Sequence, residues 1–224
     1  MPRTKSSQRW LARHEKDEFV KRARQEGARS RAIYKLEEID RRDHLLRPGM
    51  TVVDLGAAPG GWSQYVKSRV GASGWVLALD ILPMEAIPGV EFIEGDFTQQ
   101  PVLDLLMERL RCADRPKRRG KQAADSDQGQ KVDLVISDMA PNMSGVPSVD
   151  QARSIGLAEL VLDFADKALK PGGDLLIKTF QGAGFSELHA QMRRRFGKLM
   201  SRKPQASRAE SRELYLLGKG FKGA

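Results

Sequence analysis

Short continuous apolar runs alternate with amphipathic stretches along most of this chain. The runs at Val52-Val53, Val76-Leu77-Ala78-Leu79, Leu134-Val135-Ile136 and Leu175-Leu176-Ile177 have the pattern of strands buried on both faces. They predict strands over 51–55, 75–79, 132–137 and 174–179, with a shorter one over 90–93. Helical spacing between them predicts helices over 61–70, 98–111, 150–169 and 186–196. Two more precede the first strand, over 11–26 and 29–43, the second with Ala32, Ile33, Leu36 and Ile39 on one face. Arg47-Pro48-Gly49 and Lys170-Pro171-Gly172-Gly173 read as helix stops. The alternation predicts an α/β fold, a mostly parallel sheet with helices on both faces. Strands over 198–202 and 213–218 close the chain without a helix between them, which predicts an antiparallel edge.

In such a sheet, ligands bind at the carboxyl ends of the strands. The first strand ends in Asp54 and runs into Gly56-Ala57-Ala58-Pro59-Gly60-Gly61-Trp62, a glycine-rich turn opening a helix. The second ends in Asp80, the position from which an acid holds a ribose hydroxyl pair. An adenosine-bearing cofactor is therefore expected, and two classes compete. A dinucleotide fingerprint needs a second glycine where Ala58 stands, and Pro59 removes a backbone donor. The loop suits a pyrophosphate poorly. It suits S-adenosylmethionine better, since that cofactor has no phosphate and Asp54 can face its positive charge. Asp96, just past the third strand, has two readings: acceptor for an adenine amino group, or a capping aspartate with Gln99 three residues on.

Charge adds a polyanionic partner to this picture. The net +9 is unevenly spread: residues 1–49 carry +6, residues 193–224 carry +8, and the middle carries −5. Basic flanks on a mildly acidic core suggest nucleic acid, with solvated surface charge as the plainer explanation. No apolar run reaches the ~18 residues of a membrane span. The basic amino terminus lacks the apolar stretch of a signal peptide. The single Cys112 fits a reducing, cytoplasmic setting. Residues 113–131 are polar and charged, and read as a flexible insertion. No metal-ligand cluster is visible; His44 and His189 are isolated, and His14 sits among charges.

The fourth strand delivers Asp138, followed by Met139-Ala140-Pro141-Asn142, and the fifth delivers Lys178. A lysine ending an apolar strand needs a partner, and Asp138 is the obvious one. Ser30-Arg31-Ala32-Ile33-Tyr34-Lys35-Leu36, Asp54–Trp62, Ser137–Asn142, Lys178-Thr179-Phe180-Gln181-Gly182 and Ser211-Arg212-Glu213-Leu214-Tyr215 occur in this order. With these motifs the chain closely resembles the RrmJ/FtsJ family of RNA 2′-O-ribose methyltransferases, over nearly its whole length except 113–131. The resemblance implies a Rossmann-like class I methyltransferase fold over residues 50–224, preceded by a basic helical extension over 1–49. It implies a catalytic tetrad at Lys35, Asp138, Lys178 and Glu213, with Lys178 assigned to the transfer step. Implied cofactor contacts fall on Gly60, Trp62, Asp80, Asp96 and Asp138, beside Asp54 and Gly56 from the loop itself. The implied substrate is a uridine of large-subunit ribosomal RNA in the A loop, and the expected protein is a monomer acting on the large ribosomal subunit.

Chemistry makes two roles available to Lys178. A lysine ordinarily loses its proton near ~10.4, so a lysine base needs strong perturbation, whereas an ammonium that orients the hydroxyl and stabilises developing charge does not. Both roles remain open on sequence. Arg29, Arg31, Arg193, Arg194, Arg195, Arg202, Lys203, Arg208 and Arg212 are candidate phosphate contacts, and Arg115, Lys117, Arg118, Arg119 and Lys121 a candidate RNA arm. A base-amino methyltransferase would carry Pro-Pro-aromatic after the strand-end acid, and a pyrimidine-C5 enzyme a cysteine there; neither is present. A nicotinamide dehydrogenase and a non-catalytic ribosome-assembly factor are the remaining alternatives, besides transfer to another RNA.

Overall fold

The computed structural model describes residues 17–112, 132–208 and 211–223. The expected insertion at 113–131 and its basic residues, residues 11–16 of the first predicted helix, and His14 lie outside the described residues. Seven strands form one sheet: β1 (Thr51–Leu55), β2 (Trp75–Asp80), β3 (Val90–Glu94), β4 (Val132–Ser137), β5 (Leu169–Phe180), β6 (Phe196–Arg202) and β7 (Glu213–Phe221). Their order is β3-β2-β1-β4-β5-β7-β6. β3, β2, β1, β4 and β5 pair in parallel, and β7 runs antiparallel to both β5 and β6. The antiparallel pairing is thus at the expected edge, with β7 inserted between β5 and β6.

Six helices are described: α1 (Glu18–Gln25), α2 (Ile33–Asp43), α3 (Gly61–Val70), α4 (Gln100–Cys112), α5 (Pro147–Ala168) and α6 (Phe185–Arg195). The period of two in a strand sends neighbouring side chains to opposite layers. Val53, Val135, Leu175 and Ile177 pack with α4, α5 and α6, while Val52, Leu134, Ile136 and Leu176 pack with α2 and α3. This two-sided burial is why these strands read as unbroken apolar runs. Leu36 and Ile39 of α2 join the second layer, so the segment before β1 is packed into the sheet's own core. Among the described residues no helix is long and apolar enough to cross a membrane.

Several element boundaries differ from expectation by a few residues, and two of the shifts have a clear local reason. α2 begins at Ile33 rather than 29, after a turn in which Ile33 N–H donates to Ser30 O. β5 begins at Leu169, ahead of the Lys170-Pro171-Gly172-Gly173 stop. Leu169 already pairs with Val132, and the register shifts before Asp174 pairs with Leu134. The Pro-Gly-Gly is an irregularity inside the strand, with Gly172 at φ +80°.

Strand order reverses beside β1, which has β2 on one side and β4 on the other. That point is where an open α/β sheet opens a crevice. Leu55 of β1 is level with Ser137 of β4, so Asp54 and Asp138 end neighbouring strands on this crevice.

Candidate active site

β4, β5 and β7 bring three expected site residues together, and α2 brings the fourth. Lys178 and Tyr215 are paired across the β5–β7 ladder, as are Phe180 and Glu213. Lys35, in the first turn of α2, reaches Glu213 Oε1 at 2.6 Å. Lys178 Nζ lies 3.1 Å from Asp138 Oδ1 and also donates to the Asp138 carbonyl. Ser207 Oγ donates to Glu213 Oε1 at 2.8 Å. All four charged side chains are largely withdrawn from water, Lys178 the most at 8% exposed. Two cations and two anions make the cluster formally neutral, which lets it persist under a sheet end.

Tyr215 links the two ion pairs, and sequence reasoning assigned it no role. Its hydroxyl donates to Asp138 Oδ1 at 2.7 Å and lies 3.5 Å from Glu213 Oε1. Burial, with the nearby carboxylates of Asp138 and Glu213, pushes this phenol well above its ordinary range, so it stays a donor. Burial pushes the Asp138 carboxyl upward, but the Lys178 and Lys35 ammonium groups and the Tyr215 hydrogen bond outweigh it. Asp138 is held below the usual carboxylate range as a result. A signal for Tyr215 was present: two residues past Glu213 on a strand, it must share that residue's face. Ser207 sits in the loop before β7 and had none.

The glycine turn packs directly against this cluster. Gly56 and Ala57 N–H groups donate to Leu79 O at 2.8 and 3.1 Å, and Gly56 adopts φ +79°. A Cβ on Gly56 would lie 2.5 Å from Met139 Cγ, next to Asp138. Gly60 caps α3 at φ +105° under the side chains of Arg29, Met84 and Ile87. Asp54 is fully buried; Ser63 Oγ donates to its Oδ2 at 2.6 Å, while Oδ1 has no hydrogen-bond partner among the described residues. Burial pushes its carboxyl up to about 7, against the Ser63 bond and helped by the charges of Asp138 and Asp80.

The other expected cofactor residues fall in different settings. Asp80 accepts from Ala58 N–H at 2.9 Å and Leu82 N–H at 2.8 Å, with Ile81 and Leu82 exposed beside it. Asp96 Oδ1 accepts from the Thr98 N–H at 2.9 Å and hydroxyl at 2.8 Å, bonds that hold its carboxyl low. The turn-forming reading of Asp96 therefore describes its present bonds. Trp62 lies in the core: its indole donates to Ala32 O at 2.7 Å and its ring supports Tyr215 at 5.7 Å. Its side chain faces the network from beneath rather than the crevice.

The candidate phosphate-contact residues fall in three settings. Arg29, Arg31 and Arg202 are engaged inside the protein. Arg29 donates to the carbonyls of Pro59, Glu85 and Ala86, at 3.4, 2.6 and 2.8 Å. Arg31 pairs with Asp17 at 3.2 Å and donates to Ala206 O. Arg202 grips Asp43 with two bonds of 2.7 Å. Arg193 and Arg194 are exposed at the carboxyl end of α6, where Lys222 Nζ donates to Arg194 O at 3.0 Å. α6 leads straight into Phe196, which pairs with Phe221 at the far end of β7, so these arginines sit about a strand's length from Glu213. Arg195 is tied to Asp166 at 2.7 Å. Lys203, Arg208 and Arg212 remain beside the network, on the segment leading into Glu213; Lys203 donates to Ser211 O at 2.8 Å.

Comparison with known proteins agrees with this geometry. Residues 28–221 match the family model for FtsJ-like methyltransferase. The chain is 53% identical over 221 residues to ribosomal RNA large subunit methyltransferase E of Dichelobacter nodosus, covering 99% of this chain and 98% of that one. It is 53% identical to the protein of that name from Pseudomonas aeruginosa, with full coverage of both. A crystal structure from Plasmodium falciparum, described as a ribosomal RNA methyltransferase, superposes with TM-score 0.73 at 27% identity, covering 88% of this chain and 100% of that one. A family-model match over residues 28–221, with relatives more than half identical across the full length, leaves one assignment: the chain belongs to the FtsJ-like methyltransferase family.

Proposed function

We propose that the chain transfers a methyl group from S-adenosylmethionine to the ribose 2′-hydroxyl of a uridine in large-subunit ribosomal RNA, at the A loop of the assembled subunit. The observation that carries this reading is the buried network Lys35–Glu213–Tyr215–Asp138–Lys178 at the strand ends beside the glycine turn. The names of the full-length relatives support the RNA class. On this reading residues 50–224 carry the transferase, residues 1–49 supply Lys35 and widen the basic surface, and the protein works as a cytoplasmic monomer.

The residues fit the cofactor. Asp54 offers a buried acceptor without a partner among the described residues, suited to a positively charged or amino-bearing ligand. Asp80 stands where a ribose diol is held, and the exposed Ile81 and Leu82 offer an apolar bed beside it. Asp96 stands ready at the third strand's end. S-adenosylmethionine, when bound, supplies an electrophilic methyl on a sulfonium.

Lys178 spends two of its three donors on Asp138, leaving one for a hydroxyl held at the strand end. Asp138 fixes the ammonium in place, and Tyr215 fixes Asp138. Lys35 and Glu213 close the other side. Such fixed dipoles and charges stabilise the oxygen as negative charge develops, with no reorganisation during the step. Positioning the hydroxyl in line with the methyl adds to this, since orientation supplies up to ~7–11 kcal/mol in ideal intramolecular reactions. We assign Lys178 chiefly to orienting the hydroxyl.

The direct test supplies labelled cofactor to large subunits lacking native modification. Label in an alkali-resistant dinucleotide is the expected outcome; label on a base would overturn the ribose assignment.

Asp54 gives a pH prediction. An unfolded aspartate ionises near ~3.9. The folded state holds Asp54's proton up to about 7, so between these values the folded protein binds the extra proton. Asp54's contribution to stability therefore falls as pH rises through that window and is flat above it. A cationic ligand against Asp54 favours the carboxylate. Binding of S-adenosylmethionine near pH ~6 should then release a proton, read by titration calorimetry in buffers of different ionisation enthalpy. The release should vanish in Asp54→Asn; buffer-independent heats in the native protein would refute it.

The revised basic surface gives another. Replacing Arg208 and Arg212 together with Gln should weaken RNA binding and flatten the log–log salt slope by about 2, one per lost phosphate contact. Replacing Arg193 and Arg194 should leave the slope nearly unchanged. Equal effects from the two pairs would return the far edge of the sheet to the RNA surface.

A further inference from the structure

Resting on the function just proposed, we propose that the groove beside the tetrad seats the unstacked base of the nucleotide whose ribose is methylated. The groove encloses about 460 Å³. Met143 and Pro147 form one wall, from the segment that follows Asp138; Phe180 forms the other, with Ser211 and Arg212 at its edge.

Position ties the groove to the reacting ribose. Phe180 ends β5 two residues after Lys178, about 7 Å along the strand. Arg212 immediately precedes Glu213. The base hangs from C1′, the carbon next to the one bearing the 2′-hydroxyl. A hydroxyl held at Lys178 therefore brings its base within reach of Phe180. The cofactor residues Asp80 and Asp96 end β2 and pass β3, on the other side of β1 from β4 and β5. The groove lies on the β5 side, away from the adenosine end of the crevice.

Both walls are fixed in advance. The buried Asp150 carboxylate accepts from Ser144 N–H and hydroxyl, each at 2.7 Å, and from Gly145 N–H at 3.1 Å. These bonds hold the loop so that Met143 stays 67% exposed instead of folding back. Opposite, Gln151 Nε2 donates to Phe180 O at 3.1 Å and Ala183 O at 3.0 Å, and Gln181 N–H donates to Arg212 O at 3.1 Å. A prearranged apolar slot with a cation at its rim has the chemistry of base recognition in unstacked RNA: a polarisable surface for the ring face, and a guanidinium that stacks or meets phosphate. Stacking of this kind is sequence-tolerant, so the Gln151 side-chain carbonyl, as an acceptor, and the Ser211 hydroxyl are the groups available to select the base.

The test uses large subunits lacking native modification and the full-length protein. Met143→Ala should raise KM for subunits roughly 2- to 12-fold, the loss expected when a thioether–ring contact is removed. Met143→Leu should restore most of it, and the affinity for S-adenosylmethionine, by calorimetry, should not move in either. A benzoylphenylalanine placed at position 143 should photo-cross-link to the methylated nucleotide. Methyl transfer with unchanged KM in Met143→Ala, or a cross-link to a distant nucleotide, would overturn the groove's role and leave the proposed function standing. Absence of ribose methylation by the native protein would overturn both.

Discussion

Lys178→Ala should lower the rate of methyl transfer by about 10²–10⁴-fold while leaving cofactor affinity within a few-fold of native. The asymmetry follows from where the lysine sits. It touches Asp138 and one open position at the strand end, whereas Asp54 and the glycine turn belong to the end of β1 and Asp80 to the end of β2 beyond it. Removing it strips a positioned donor from the reacting oxygen. Asp138 keeps Tyr215 at 2.7 Å and the field of Lys35, so it is not left as a lone buried charge. Unfolding should therefore shift less than the ~3–5 kcal/mol seen when a buried pair loses one member. Single-turnover kinetics on unmodified subunits, with calorimetry and a thermal melt on the same preparation, would check all three parts. Near-native transfer would remove Lys178 from the reaction. A pH–rate dependence present in the native protein and absent in Lys178→Ala would convert its role from orienting group to base.

Gly56→Ala should cost roughly 2–4 kcal/mol of stability and most of the activity. Two penalties combine. The residue adopts φ +79°, where a side chain is strained. The new methyl would also sit 2.5 Å from Met139 Cγ and 3.0 Å from Met139 N, and the latter, being backbone, cannot swing aside. Any relief moves the residue next to Asp138 and spreads into the ion network. For a chain of this size the expected fall in melting temperature is about 5–15 °C. Gly71→Ala provides the control: it has φ +69° but nothing within 4 Å of its added Cβ. It should show the conformational penalty alone. Equal melting shifts for the two would discount the contact with Met139.

Much of this site could be read from the chain because local rules decide it. Strand-end acids follow from where apolar runs stop, and the doubly wound logic puts Asp54 beside Asp138 without any knowledge of side-chain packing. What could not be read depends on partners chosen at long range. Arg202 looked like a free cation, but its acid, Asp43, lies 159 positions away on α2. Arg29 is taken by three carbonyls in two loops that have no charge to advertise them. Where Arg193 and Arg194 fall relative to Glu213 could not be read either, since it depends on which end of the sheet α6 reaches. Lys170–Gly173 read as a stop because the sequence carries the turn residues but not the ladder that pulls them into β5. The open oxygen of Asp54 had no local signature at all.

The late position of β7 in the chain has a consequence for the order of folding. Its strand must insert between β5 and β6, both made earlier, and it carries Glu213 and Tyr215 with it. Lys35 and Glu213 are 178 positions apart, so their contact closes one of the longest loops in the molecule. Contacts of that span form slowly, after shorter loops have closed. A partly folded chain can thus complete β1 to β4 before the buried ion network exists. Such an intermediate would present the unpaired edges of β5 and β6 to solvent and to one another's copies. The ion network and the covering of those two strand edges arrive together, in the single event that seats the final strand.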